Sequence, residues 1–202
     1  MAATPRKQPT QARSKATVTA VLDATARVLV LEGYAKTTTN HVAKVAGVSV
    51  GSLYQYFPNK EALVMAVAER HAQAMVALLA ETMSDLGDQP IRVAVRTYVD
   101  AVVAAHLIDP ALHHALVMLV LQIGLEQFRE IDEAALALIE VYLDERRDQI
   151  LPKDRKTAAW VLMTTVESLI HMAAIERHEL LRSGRLNEEI CAVILRYLGV
   201  ES

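Results

Sequence analysis

One cysteine, six prolines and a 4% share of aromatic residues are what this 202-residue chain holds least of. The single thiol, Cys191, excludes an internal disulfide framework and fits a reducing compartment. Scarce proline beside 52% hydrophobic residues excludes disorder for most of the chain. The opening "MAATPRKQPTQARSKA" has no apolar h-region, so no secretory signal is expected. The longest apolar stretch, Ala115–Leu125, is interrupted by Gln122 and falls short of the about 20 residues that a bilayer-spanning helix needs. A Gly-rich phosphate loop, a nucleophile elbow and paired catalytic carboxylates are also missing, so no catalytic residue and no cofactor is expected. Together these absences predict a soluble cytoplasmic protein that is neither an enzyme nor a membrane protein.

Acidic residues are scarce in one place only. Residues 1–60 hold 8 Lys/Arg against 2 Asp/Glu, whereas residues 61–202 hold 13 against 22. A head of charge +6 on a body of −9 points to a polyanionic partner for the head. Turn signals divide the chain into about nine helices, and no segment reads as a strand. Residues 2–13, polar and with two prolines, read as a flexible basic arm. A first helix from about Ser14 ends at Gly33, and Asn59 caps a long one running to about Leu86. Pro90 begins the next, which "DP" at Asp109–Pro110 stops. Further helices span the stretch to about Gln149 and Arg155–Arg182, and Asn187 is expected to cap a last one that Gly199 ends.

The most informative stretch is "TTNHVAKVAGVSVGSLYQYFPNKEAL", Thr38–Leu63. Val42, Ala43 and Ala46 form one buried side of a short helix starting at Thr39, and Gly47 can take the positive φ that ends it. Val48 is buried in the turn. Ser49 can then cap a second helix with Leu53 and Tyr56 or Phe57 turned inward. This is a helix-turn-helix, whose second helix enters the DNA major groove. Gly51 falls on the outward side, where a missing side chain lets backbone approach DNA. Thr37, Thr38, Thr39, Ser52, Tyr54, Gln55 and Lys60 read as an exposed hydrogen-bonding set that a bare structural hairpin would not require.

This stretch closely resembles the signature of the TetR family of transcriptional repressors, with Val42-Ala43, Ala46-Gly47-Val48-Ser49, Gly51, Leu53-Tyr54, Phe57, Lys60 and Leu63 meeting the pattern. The motif resemblance covers about residues 14–65; beyond it the likeness is one of helical character and length. It implies an all-α protein with a three-helix helix-turn-helix DNA-binding domain (14–58) and a helical ligand-binding and dimerisation domain (59–202). By position, Thr39 and Lys60 would hold phosphates and Thr38 would cap the first motif helix. Asn40, Val50, Gly51 and Ser52 would face base edges, with Ser49 as the cap of the reading helix. Tyr54, Gln55 and Tyr56 would line the backbone or neighbouring bases, Tyr56 standing where the family usually has histidine. Asn can pair with adenine and Lys is a point charge for phosphate, whereas Val50 and Gly51 offer no polar reading, which leaves DNA shape a share of the specificity.

In the body, the helix 155–182 is apolar on almost every side and the last helix is broadly so. They are the candidates for an isologous four-helix interface in a homodimer, an ordinary monomer core being the alternative. The other side of helix 155–182 is expected to line an effector pocket with Tyr98, Met118, Gln122, Phe128, Trp160, Met163 and His171, residues that would equally suit a plain core. So few aromatics favour a flexible aliphatic cavity over an aromatic cage. Among seven histidines, His113-His114 point apart and His171 and His178 lie two turns apart, so no metal site is expected; Glu167 and His171 read as a hydrogen-bonded pair. Cys191 reads as packing rather than a redox sensor. The expected protein is a repressor that binds a palindromic double-stranded operator as a dimer and is released by a small apolar effector. A ligand-independent architectural DNA-binding protein and an enzyme with an incidental basic head remain as alternatives.

Overall fold

The computed structural model describes residues 12–84, 89–123 and 129–200. Among these there are ten α-helices, one short 3-10 turn at Arg147–Gln149 and no strand. In chain order the helices are α1 (Ala12–Lys36), α2 (Thr39–Ala46), α3 (Val50–Tyr54), α4 (Lys60–Ser84), α5 (Ile91–His106), α6 (Pro110–Ile123), α7 (Arg129–Glu145), α8 (Arg155–Glu176), α9 (His178–Arg182) and α10 (Arg185–Leu198). They fall into two compact units.

The first unit holds the described residues of Met1–Gln73 and Ala111–Gln127. Its α1 is interrupted at Gly33 (φ 79°, ψ 169°), where the sequence places a helix end; one further turn follows. The hydroxyl of Thr37 donates to the Gly33 carbonyl at 3.0 Å and is fully buried. That removes Thr37 from the exposed set the sequence suggested, because the turn itself consumes its only polar group. Val21, Val28 and Leu29 of α1, Val42 and Ala43 of α2, Leu53 of α3, Phe57, and Leu63 and Val67 of α4 are the buried apolar residues of the head. Asn59 caps α4 as expected, its Oδ1 accepting from the Ala62 N–H at 2.8 Å. An ion pair at 2.7 Å between Arg70 and Asp23 ties α4 to α1.

The second unit holds the described residues of Ala74–Pro110 and Phe128–Ser202. Here α8 packs on α5, α7, α9 and α10, and α10 packs on α5. Val99, Val102, Val166, Ile170, Ile190 and Ile194 are buried at the centre. Asp154 caps α8 through the N–H and hydroxyl of Thr157, contacts that hold its carboxyl below the usual range. The long helix expected over Arg155–Arg182 is two helices: the backbone leaves helical geometry at Arg177 (φ −141°, ψ 50°), with no glycine or proline at the break. Asn187 is not a cap. Gly184 (φ 71°) starts α10 earlier, which turns Asn187 inward to donate to Asp100 at 2.7 Å.

The segments Lys60–Thr82 and Arg155–Glu176 are each long and apolar enough to cross a membrane by length and composition. Neither is one uninterrupted apolar run, because polar residues are dispersed along both.

Candidate nucleic-acid interface

Two short helices and the turn between them build the outer surface of the head. The Thr38 side chain accepts from the His41 N–H at 3.2 Å and starts α2. Gly47 (φ 68°, ψ 28°) ends it in the left-handed conformation that glycine adopts most readily. The Val48 N–H returns to the Ala43 carbonyl at 3.0 Å, closing the turn. Ser49 then accepts from the Ser52 N–H at 3.1 Å, and the two hydroxyls lie 2.7 Å apart. The polar atoms of Ser49 and Ser52 therefore serve first to start α3.

Leu53 and Phe57 are buried, and this fixes which side of α3 faces outward. Asn40, Gly51, Tyr54 and Gln55 are exposed; Thr39, Val50 and Ser52 are half-buried. Thr39 Oγ1 and the Tyr54 hydroxyl lie 3.0 Å apart, bridging α2 and α3 with two residues expected to meet DNA. His41 is bonded to Glu32 at 2.8 Å and ties α2 to α1. Tyr56 departs from expectation: it is 7% exposed and belongs to the packed interior, because Leu53, Tyr56 and Phe57 turn to the same side as the chain leaves α3. Lys60 is partly committed inside the head. Its Nζ donates to the Tyr34 carbonyl at 3.2 Å and lies 3.8 Å from the centre of the Tyr34 ring. Partial burial and the neighbouring Glu61 carboxylate hold the Tyr34 phenol above its usual range.

In the second unit, two helical stripes carry polar groups among apolar ones. Tyr98, Val102 and His106 recur every four residues on α5, and Met163, Glu167 and His171 do so on α8. Burial, with Glu167 as a secondary cause, holds the Tyr98 phenol far above its usual range. His106 Nε2 and His171 Nε2 lie 3.1 Å apart, and burial holds the His171 imidazole below its usual range. Met163 is buried in the core of this unit and Tyr98 packs against it, while His171 is half-buried. Trp160 lies outside that core: on α8 it is 56% exposed, on a side its buried neighbours Ala158 and Ala159 leave outward. Met118, in the first unit, is 41% exposed. The side chain of Gln122 and the whole of Phe128 lie outside the described residues.

Two surface cavities of the second unit contain none of these side chains. One of about 410 Å³ lies where α8 passes into α9, and one of about 330 Å³ is lined by Arg92, Arg96 and Arg196 beside Cys191. Burial pushes the Cys191 thiol up, in keeping with packing rather than reactivity. Sequence reading missed the histidine pairs. His71 and His113 of the first unit approach to 3.1 Å across 42 residues, and His106 and His171 across 65, separations that no local spacing pattern reveals.

Residues 21–67 match the family profile of bacterial regulatory proteins, tetR family, and residues 90–198 match that of the tetracyclin repressor-like C-terminal domain. An uncharacterized HTH-type transcriptional regulator of Bacillus subtilis, YvkB, is 38% identical over 66 residues, 33% of this chain and 35% of the relative; the match thus spans about a third of that curated relative. SmeT, the repressor of the Stenotrophomonas maltophilia multidrug efflux pump SmeDEF, is similar with a TM-score of 0.71 at 26% identity, covering 91% of this chain and 90% of SmeT. Its complex with triclosan is similar with a TM-score of 0.69, also at 26% identity, over 90% of each chain. A TetR-family transcriptional regulator from Streptomyces coelicolor gives 0.66 at 27% identity, over 93% of this chain and 98% of its own. With a helix-turn-helix head, an all-helical body and a profile match to each, the chain belongs to the TetR family of bacterial transcriptional regulators.

Proposed function

We propose that this regulator is a repressor that binds a palindromic operator as a homodimer and leaves it when a small, largely apolar effector binds the body. The observation that carries the DNA-binding part is the outward side of α2 and α3, where Asn40, Gly51, Tyr54 and Gln55 are exposed beside a glycine-ended turn. In this reading Asn40, Val50, Gly51 and Ser52 meet base edges, while Thr39 and Tyr54, already bonded to each other, meet phosphates together with Lys60 and Gln55. Thr38 and Ser49 act through the helix ends they cap. Residues 14–58 form the DNA-binding domain, 59–202 the effector and dimer domain, and 1–13 a basic arm that adds sequence-independent affinity.

Dimerisation is supported by apolar residues left outward on two helices that pack together. Leu169, Met172 and Ile175 of α8 and Val193 and Tyr197 of α10 are all exposed. An isologous four-helix interface would cover them, and Trp160 belongs with this surface. The effector would meet Met163 of the apolar core and the polar tips of Tyr98 and His171. SmeT, 26% identical, is a repressor known in complex with triclosan, which favours repression and a small ligand here. Effector binding can act only through unequal affinity for the DNA-competent state, and we assign the lever to α4. Two heads of a dimer must lie about 34 Å apart to meet successive major grooves.

The test is retention of genomic DNA fragments by the purified protein, followed by affinity for the selected fragment across a salt series. Binding is expected to fall by about 0.9 log units per phosphate contact for each log unit of salt. Failure to enrich any sequence, or an affinity flat in salt, would overturn the reading.

A further inference from the structure

We propose that His106 and His171 form one edge of a coordination site for a divalent transition-metal ion of the zinc class. Both ligands stand on regular helices, α5 and α8 of one compact unit. His106 is 4% exposed, and its Nδ1 lies 2.7 Å from the Val102 carbonyl oxygen. A carbonyl only accepts, so Nδ1 carries the proton and Nε2 presents its lone pair toward the neighbouring ring. There it meets His171 Nε2 at 3.1 Å, with ring centroids 5.0 Å apart and planes tilted by 54°, so the rings converge through nitrogen atoms rather than stack.

Zinc binds imidazole nitrogen at about 2.0–2.1 Å, which makes the edge between two nitrogens of a tetrahedral site about 3.3 Å. The observed separation reaches that value with a few tenths of an ångström of movement. The Val102 carbonyl does for His106 what outer partners do for metal-ligating histidines: it fixes the ring and leaves the other nitrogen free of its proton. Coordination by His171 needs only that its proton sit on Nδ1 instead of Nε2, and this half-buried side chain can make that exchange with solvent. Both ligands therefore bind as neutral imidazoles without net loss of a proton, which removes a usual cost of metal binding. Val99, Val166 and Ile170 are buried in the same core, so the ion would sit in low-dielectric surroundings. Water or further donors complete its coordination.

A plain hydrogen bond between the two rings satisfies the same atoms, and the two readings differ in affinity for an added ion. The test is equilibrium dialysis of the untagged full-length protein against zinc chloride, with cobalt chloride as a spectroscopic substitute. One ion per chain is expected at low micromolar metal, with visible absorption bands of four-coordinate cobalt. His171→Gln keeps a polar, similarly sized side chain and is expected to weaken binding by about tenfold or more. His106→Ala is expected to abolish it, and if that variant fails to fold, His171→Gln decides alone. His114→Ala, at an exposed position, is the control and is expected to leave binding unchanged. No retained ion, or an affinity indifferent to His171→Gln, would show that the pair is a hydrogen bond and nothing more. The readout does not depend on DNA binding, so it stands or falls separately from the repressor reading.

Discussion

Gly47 and Gly51 lie four residues apart in the head, and the same substitution at each is expected to act with opposite sign on stability. Gly47 holds φ 68° and ψ 28°, and a Cβ built there meets nothing within 4 Å. The whole penalty for Gly47→Ala is therefore conformational, about 1–2 kcal/mol for a left-handed L-residue. Gly51 has ordinary helical geometry, and the nearest atom to its Cβ is Ser49 Oγ at 4.0 Å, a normal contact. There alanine gains helix propensity, up to about 1 kcal/mol and less in a first turn. The two variants are thus expected to differ by about 2 kcal/mol, which at about 2–4 °C per kcal/mol separates their melting temperatures by about 4–8 °C. Operator affinity is expected to rank the other way. Gly47→Ala, still folded at 25 °C, keeps most of it. Gly51→Val puts bulk on the exposed face and loses as much as a missing base contact, about 1–3 kcal/mol. Thermal unfolding followed by circular dichroism, with fluorescence anisotropy on the selected operator, measures both quantities. Gly47→Ala melting no lower than Gly51→Ala, or Gly51→Val binding the operator like the unaltered protein, would overturn the separate roles of the two glycines.

Other expectations follow from single contacts. Phe57→Ala empties the centre of the head, where the ring is 2% exposed, and is expected to cost about 3–5 kcal/mol in urea unfolding. Lys60→Met removes the bond to the Tyr34 carbonyl and the cation over its ring; a loss of about 1 kcal/mol in thermal stability is expected, and none at all would place Lys60 solely at the DNA surface. Leu169→Glu combined with Val193→Glu puts charge on the apolar sides of α8 and α10 and is expected to yield monomers in sedimentation velocity at micromolar concentration, with weakened operator binding. The Tyr98 phenol is held above its usual value of 10.0 by burial, so the folded state favours its neutral form. Its contribution is then fully present below pH about 10 and is lost as pH rises above that. Tyr98→Phe is expected to flatten the stability profile above pH 10, and an unchanged alkaline slope would count against this environment.

What was legible in the sequence is what the backbone decides locally. Gly33, Gly47, Ser49 and Asn59 mark helix ends because a positive φ or a short side chain accepting an N–H is a requirement of the turn itself. Val42, Leu53 and Phe57 repeat at intervals that name a buried side before any partner is known. The break at Arg177 was not legible, since it carries no such signal and arises where α9 departs from α8. Asn187 reads as a cap by residue type, yet a start three residues earlier makes it an interior donor.

Position on a helix also left sidedness open. Tyr56 and Phe57 are neighbours that either register could bury; the packed head takes both, and the DNA-facing role given to Tyr56 by position has no exposed ring to carry it. Trp160 shows the reverse, an aromatic expected to line a pocket from its side of the helix and found outward on α8. Most helix ends, the turn at Gly47 and the charge split could be read along the chain, because these depend on residues within one turn or on simple counting. Packing alone brings His71 to His113, His106 to His171 and Asn187 to Asp100. Such pairs join residues tens of positions apart, and their geometry is set by how whole helices pack, not by any spacing along the chain.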